Sequence, residues 1–296
     1  MARHGTARHG TDMNAFRPGR ETVDLPGRPR SATTIIMKRM PALDGLRGIL
    51  AVVVAMHHVC AYAGSGVLLW PAQKAVLAFF FLSGLVLTRA WAGHVWRFMV
   101  RRIVRLWPTY AVCLAAGYVA LGQRPIWAEF LWLRIEPTVS PMCWHAADPP
   151  MWSLCIEMWV MPFMPFIAWF GRGSPARMIL AVIACAALTL LGGAPAYGAF
   201  FVAGAALSRF TFQSKALESR VPLWLGKVSY SLYLSHWVVF KAFTQAFGHY
   251  GLIPGAVACP AVAWVLWRWV ERPSVTYSRS LFQTRASGPD RAITAT

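Results

Sequence analysis

Arg47 and His58 stand eleven residues apart in an apolar run, PALDGLRGILAVVVAMHHVC, that extends from Pro41 to Cys60. At ~100° per residue, eleven steps return to within ~20° of the start, so in a helix both side chains share one face. At ~1.5 Å per residue they lie ~16 Å apart along the axis. A fixed cation near one end can hold an anion, and an imidazole deep in the run can move a proton or carry a group covalently. Ionisable groups are costly inside a membrane span, which makes both residues functional candidates. A hydrogen bond from His58 to a neighbouring helix is the alternative reading. His57 points ~100° away from His58 and reads as a packing residue, not as a second ligand to a shared metal.

Three further groups are candidates to act with this pair. Glu157 closes the stretch Trp152-Ser153-Leu154-Cys155-Ile156-Glu157 and lies ~8 Å inside its run. Antiparallel helices would place it near the depth of His58, where a carboxylate would fix the imidazole tautomer and raise its basicity. A structural bond to a backbone group or a tyrosine is the other possibility. Arg102 and Arg105 are three apart in RRIVR, and if helical they share a face suited to a phosphorylated ligand. Charge alone fits a positive-inside loop equally well. The run SYSLYLSHW, Ser229 to Trp237, sets Tyr230 and His236 among hydroxyls that either line a cavity or bond between helices. Phe79-Phe80-Phe81-Leu82-Ser83-Gly84 reads as close helix packing through small residues.

The elements that hold these groups must be membrane helices. Of 296 residues, 57% are hydrophobic and only 14% are charged, against ~25% charged in a soluble domain. The expected fold is all-α: a polytopic helical membrane protein of about eight spans, near 45–63, 67–89, 106–122, 151–170, 177–192, 195–210, 223–247 and 252–270. The net charge of +18 lies between the apolar runs and not on one soluble face, which argues against nucleic acid and for the positive-inside rule. Clusters in the N-terminal region, in 97–105, at Arg172 and Arg177, in 209–227 and from Arg268 onward fall on alternate connections. Both termini are therefore expected in the cytosol. Residues 1–39 read as a disordered basic tail able to touch anionic lipid, 40–273 as the transmembrane domain and 274–296 as a C-terminal tail. No cleavable signal peptide is visible.

The largest external segment, 123–150, holds Trp127, Phe130, Leu131, Trp132 and Leu133, which suit a short interfacial helix. Trp132, Trp144 and Trp152 read either as an aromatic belt or as platforms for sugar rings. The six cysteines form no CxxC pair, so no metal is expected. Cys60, Cys143 and Cys155 would fall near one face and read as plain buried thiols, with a disulfide among them as the alternative.

Taken together, these blocks resemble the acyltransferase-3 family of integral membrane acyltransferases. LDGLRGILAVVVAMHH is similar to the family's first helix, marked by Arg or Lys, ten residues, then His; Arg47 and His58 match it without a gap. FFFLSGLVL, RRIVRLWP, WSLCIEMWVMPFMP and SYSLYLSHW resemble later family blocks, in family order. The resemblance implies transfer of an acyl group, acetyl foremost, from cytosolic acyl-CoA to a hydroxyl of a carbohydrate or glycosylated acceptor. His58 would be general base or acyl relay, with Glu157 beside it. Arg47, Arg102 and Arg105 would hold the donor's phosphates. Asp44, Trp152, Ser153, Tyr230 and His236 are the candidate substrate contacts. No cofactor is expected to stay bound, acyl-CoA being a substrate, and the location implied is the plasma (inner) membrane. Two departures stand out. Family members have about ten spans, and Met158 and Met161 replace polar residues that usually follow Glu157. A glycan transporter, or a truncated relative serving as a partner subunit, is the competing interpretation.

Overall fold

A computed structural model describes residues 40–63, 72–132, 148–171 and 174–282. The expected basic tail of 1–39, the connection containing Trp144 and Cys143, and residues 283–296 lie outside these. Every regular element among the described residues is helical. The helices are α1 (Pro41–Tyr62), α2 (Ala72–Ala90), α3 (Val95–Leu121), α4 (Trp127–Phe130), α5 (Trp152–Val160) and α6 (Met164–Gly171). They continue as α7 (Pro175–Leu191), α8 (Gly193–Ala206), α9 (Arg220–Phe247), α10 (Leu252–Leu266) and α11 (Arg272–Ser280).

Among the described residues, five helical stretches are long and apolar enough to cross a membrane: Pro41–Ala61, Ala72–Ala90, Val95–Leu121, Pro149–Gly171 and Arg220–Ser280. The last folds back on itself at Gly248, whose φ of 58° lets α10 return along α9. Two further apolar helices, Pro175–Leu191 and Pro195–Ala206, are shorter. Large apolar side chains such as Ile179, Val182, Val119, Ile253 and Val257 point outward, as a lipid-facing surface requires.

α1 is the central strut, packed along α9 and against α2, while α2 lies along α8. Pro41 opens α1 with Asp44 in its first turn, a cap chemistry that suits a helix N-terminus. Small residues set the spacing of the α1–α9 crossing. A Cβ on Gly48 would strike the backbone of Leu225 and Gly226, and one on Gly226 would strike the Asp44 carbonyl. The expected close packing at Ser83-Gly84 is present too, with Gly84 against the Phe201 backbone and Gly204 of α8 against Phe81. Phe80 and Phe201 stack between these helices at 5.2 Å.

Two boundaries differ from expectation. The arginine-rich stretch 97–105 is not a connection but the opening turns of α3, which starts at Val95. The last helical path does not stop near 273. It continues to Ser280, and Arg101 donates to the Leu281 carbonyl at 2.7 and 3.0 Å. Arg97 and Arg101 also lie over the Phe282 ring at 5.6 and 5.7 Å. Cation–π contact and backbone capture thus give the start of the expected tail a place on α3.

Candidate active site

At one end of α1, six helical segments bring charges together. Arg102 is 8% exposed on α3 and donates to Oε1 of Glu157 in a close ion pair. Ser83 of α2 donates to the same oxygen at 3.4 Å. The other positive charges acting on Glu157 are those of Arg47 and Arg105. Arg102 and Arg105 share a face of α3, as their three-residue spacing requires, whereas Arg101 is occupied with Leu281.

A second carboxylate, Glu271, faces two of these arginines. It is 7% exposed, it accepts a hydrogen bond from the buried Ser231 Oγ at 2.6 Å, and Arg105 and Arg47 act on it. Glu271 ends a π-helical turn, Trp267–Glu271. Pro273, two residues on, has no N–H for the Trp269 carbonyl and its ring crowds that oxygen. The widened turn relieves this and leaves Glu271 buried while Arg272 is exposed. Three guanidinium groups thus act on Glu157 and two of them on the buried Glu271, with Asp44 acting on Arg47 from the first turn of α1.

The other end of α1 is built from rings. His58 lies 5.2 Å from His236 of α9, centroid to centroid, with the rings tilted by 31°. Trp237 meets His58 edge-on at 5.3 Å, and His57 does so at 5.4 Å. His236 is fully buried. Its Nδ1 is 3.2 Å from the Leu232 carbonyl, which can only accept, so Nδ1 carries the proton and Nε2 is bare. Among the described residues, that Nε2 has no hydrogen-bond partner.

One turn before His236, the Tyr233 hydroxyl donates to the Pro150 carbonyl at 2.8 Å and lies 2.8 Å from Ser153 Oγ. Beside this cluster sits Asp148, fully exposed to none of the solvent and with neither carboxylate oxygen hydrogen-bonded among the described residues. Burial pushes its carboxyl well above the usual carboxylate range.

The structure separates some groups that the sequence placed together. Glu157 does not lie against His58 as expected; its partner is Arg102, because a buried carboxylate is stabilised most by a guanidinium it can touch. Tyr230 donates its hydroxyl to the Leu106 carbonyl at 2.8 Å. Ser153 is taken up by Tyr233 and Pro150. Trp152 packs against Tyr197 and Phe80 at 5.3 and 6.0 Å, and Trp132 is buried against Tyr110. These side chains are engaged within the protein. The short helix α4 is docked on α3, with Tyr110 donating to the Glu129 carbonyl at 2.6 Å and Tyr118 to its carboxylate at 2.5 Å.

Sequence reasoning missed Glu271 and Asp148. The signal for Glu271 is an acid closing an apolar run, in WRWVERP, where two arginines flank it and give the stretch a cationic look. Asp148 was hidden among prolines. Cys60, Cys113, Cys155, Cys185 and Cys259 are thiols, while Cys143 lies outside the described residues. Among the described residues, no three His, Cys, Asp or Glu side chains group as a metal would need.

A family model described as an acyltransferase domain matches residues 40–220. That stretch contains Arg47, His58, Arg102, Arg105 and Glu157. Neither the curated proteins nor the solved structures contain a match to this chain.

Proposed function

The chain belongs to the acyltransferase-3 family, and from that premise we propose that it is an integral membrane O-acyltransferase. It moves an acyl group, acetyl in the simplest case, from cytosolic acyl-CoA to a hydroxyl of a carbohydrate or glycosylated acceptor. One observation carries this reading: a single helix, α1, joins a cluster of three guanidinium groups to a pair of neighbouring imidazoles, one of them fully buried.

Arg47, Arg102 and Arg105 hold the donor's phosphates, for which planar guanidinium forks are well matched. The pantetheine arm then runs along α1 and brings the thioester to His58, ~16 Å further on. There the acceptor oxygen attacks the thioester carbon as His58 takes the hydroxyl proton. The carbon–sulfur bond breaks, the proton passes from His58 to the CoA thiolate, and an ester and free CoA result. An acyl-imidazole on His58 would serve the same overall transfer in two steps. The arginine end faces the cytosol under the positive-inside rule, with eight crossings and both termini on that side of the plasma membrane.

The experiment is mass spectrometry of glycans and secreted metabolites from cells making the parent protein or His58→Ala at equal level. The expected result is loss of one acyl-group mass from a single product, which also identifies the acceptor. Unchanged acylation in the variant overturns the assignment.

A further inference from the structure

A base that takes a proton through one ring nitrogen needs its other nitrogen held, or the two tautomers compete. A carboxylate commonly does the holding, but Glu157 is bound to Arg102. We propose that His236 is the positioning residue for His58: its bare Nε2 accepts the ring N–H of His58 and turns the opposite His58 nitrogen to the acceptor hydroxyl. This rests on the reading of His58 as the proton-transferring group.

Three observations carry it. Donation from Nδ1 to Leu232 fixes the His236 tautomer, so Nε2 is an acceptor by elimination. That nitrogen is buried and has no partner among the described residues, a costly state unless something comes to fill it. The two ring centroids lie 5.2 Å apart; each nitrogen is about 1.1 Å from its centroid and an N–H···N contact covers about 3 Å, so a turn of the His58 ring toward Nε2 closes a bond that is open in this structure. Trp237 on His58, and Tyr233 and Phe240 on His236, wall the pair at 5.3, 6.0 and 6.0 Å.

The choice of an imidazole over a carboxylate has a physical reason. A second neutral ring leaves no net charge in the apolar bundle while His58 is at rest, yet its lone pair still stabilises the imidazolium that forms during transfer. No bond to carbon forms at His236, and its own proton stays on Nδ1 throughout.

The test uses full-length protein labelled with 15N-histidine in detergent, with the His58 resonances assigned by their loss in His58→Gln. His236→Asn keeps a donor near the δ position and removes the acceptor at ε; His236→Gln places an amide oxygen near ε. The parent should show one neutral tautomer of His58. His236→Asn should show a mixture and His236→Gln a single form. Product formation in cells should follow, falling about tenfold or more in the Asn variant and within about threefold of parent in the Gln variant. A His58 tautomer unchanged by His236→Asn overturns the proposal. So does equal loss in both variants, which would make His236 a packing residue. Either failure is distinct from failure of the acyl-transfer reading, which would show as undiminished product in His58→Ala.

Discussion

The two ends of α1 differ in the charge they hold, although Arg102 Nε at the arginine end is also buried without a hydrogen-bond partner among the described residues. At the arginine end, the two carboxylates inside the bundle have a donor hydroxyl and guanidinium charges acting on them. At the histidine end, His236 Nε2 and both oxygens of Asp148 have no hydrogen-bond partner among the described residues. Electrostatics explains the difference. A guanidinium stays charged in any setting and must be compensated where water is excluded. An imidazole or a protonated carboxyl is neutral and costs only an unmade hydrogen bond. The first end is therefore built to hold charge, and at the second burial favours the neutral form of Asp148.

The sharpest way to break that contrast is to remove one arginine. Arg102→Ala leaves Glu157 buried with its nearest cation gone, and the expected loss of stability is about 3–5 kcal/mol. Removing both partners, as in Arg102→Met with Glu157→Met, should recover much of that loss, because an apolar pair needs no compensation. Thermal unfolding of the purified proteins in one detergent tests this. Additive losses in the double variant would mean that the ion pair is not coupled. Where Arg102→Ala or Arg105→Ala remains folded, donor saturation should shift to higher acyl-CoA while acceptor choice stays the same.

Glu271 gives a gentler test on the same side. Glu271→Gln keeps the shape and the contact with Ser231 but drops the charge, leaving Arg47 and Arg105 less compensated. The expected outcome is a loss of about 1–3 kcal/mol and altered donor KM, with acceptor KM unmoved. Steady-state kinetics at varied acyl-CoA reads the split. An unchanged donor curve with a lower melting temperature would confine Glu271 to stability.

Spacing along one helix made Arg47 and His58 readable, because a helix face follows from residue numbers alone. The apolar runs likewise showed where helices form. Lateral neighbours were not readable. Depth-matching set Glu157 level with His58, but hydropathy says nothing of which helix stands beside which, and the carboxylate went to Arg102. The start of α3 was hidden because Arg97, Arg101, Arg102 and Arg105 look like a solvated connection. Their place on a helix makes sense only once Glu157, Glu271 and the 281–282 segment are seen to receive them. Glu271 was obscured for the same reason, since a π turn caused by a downstream proline changes which side of a helix is buried.

Asp148 offers the smallest effect and the one with the opposite sign. An unfolded aspartate ionises near ~3.9, whereas burial raises the folded carboxyl well above that. Between those two values the folded chain binds more protons than the unfolded one, so stability falls as pH rises through that window. Below the unfolded value both states are protonated and the penalty vanishes. Asp148→Asn cannot ionise and escapes the slope. The variant should therefore melt at a higher temperature than the parent at pH 7 and at the same temperature near pH 4. A variant less stable than the parent at pH 7 would show that Asp148 is ionised and paired, which would make the histidine end a second charged site and erase the contrast with the arginine end.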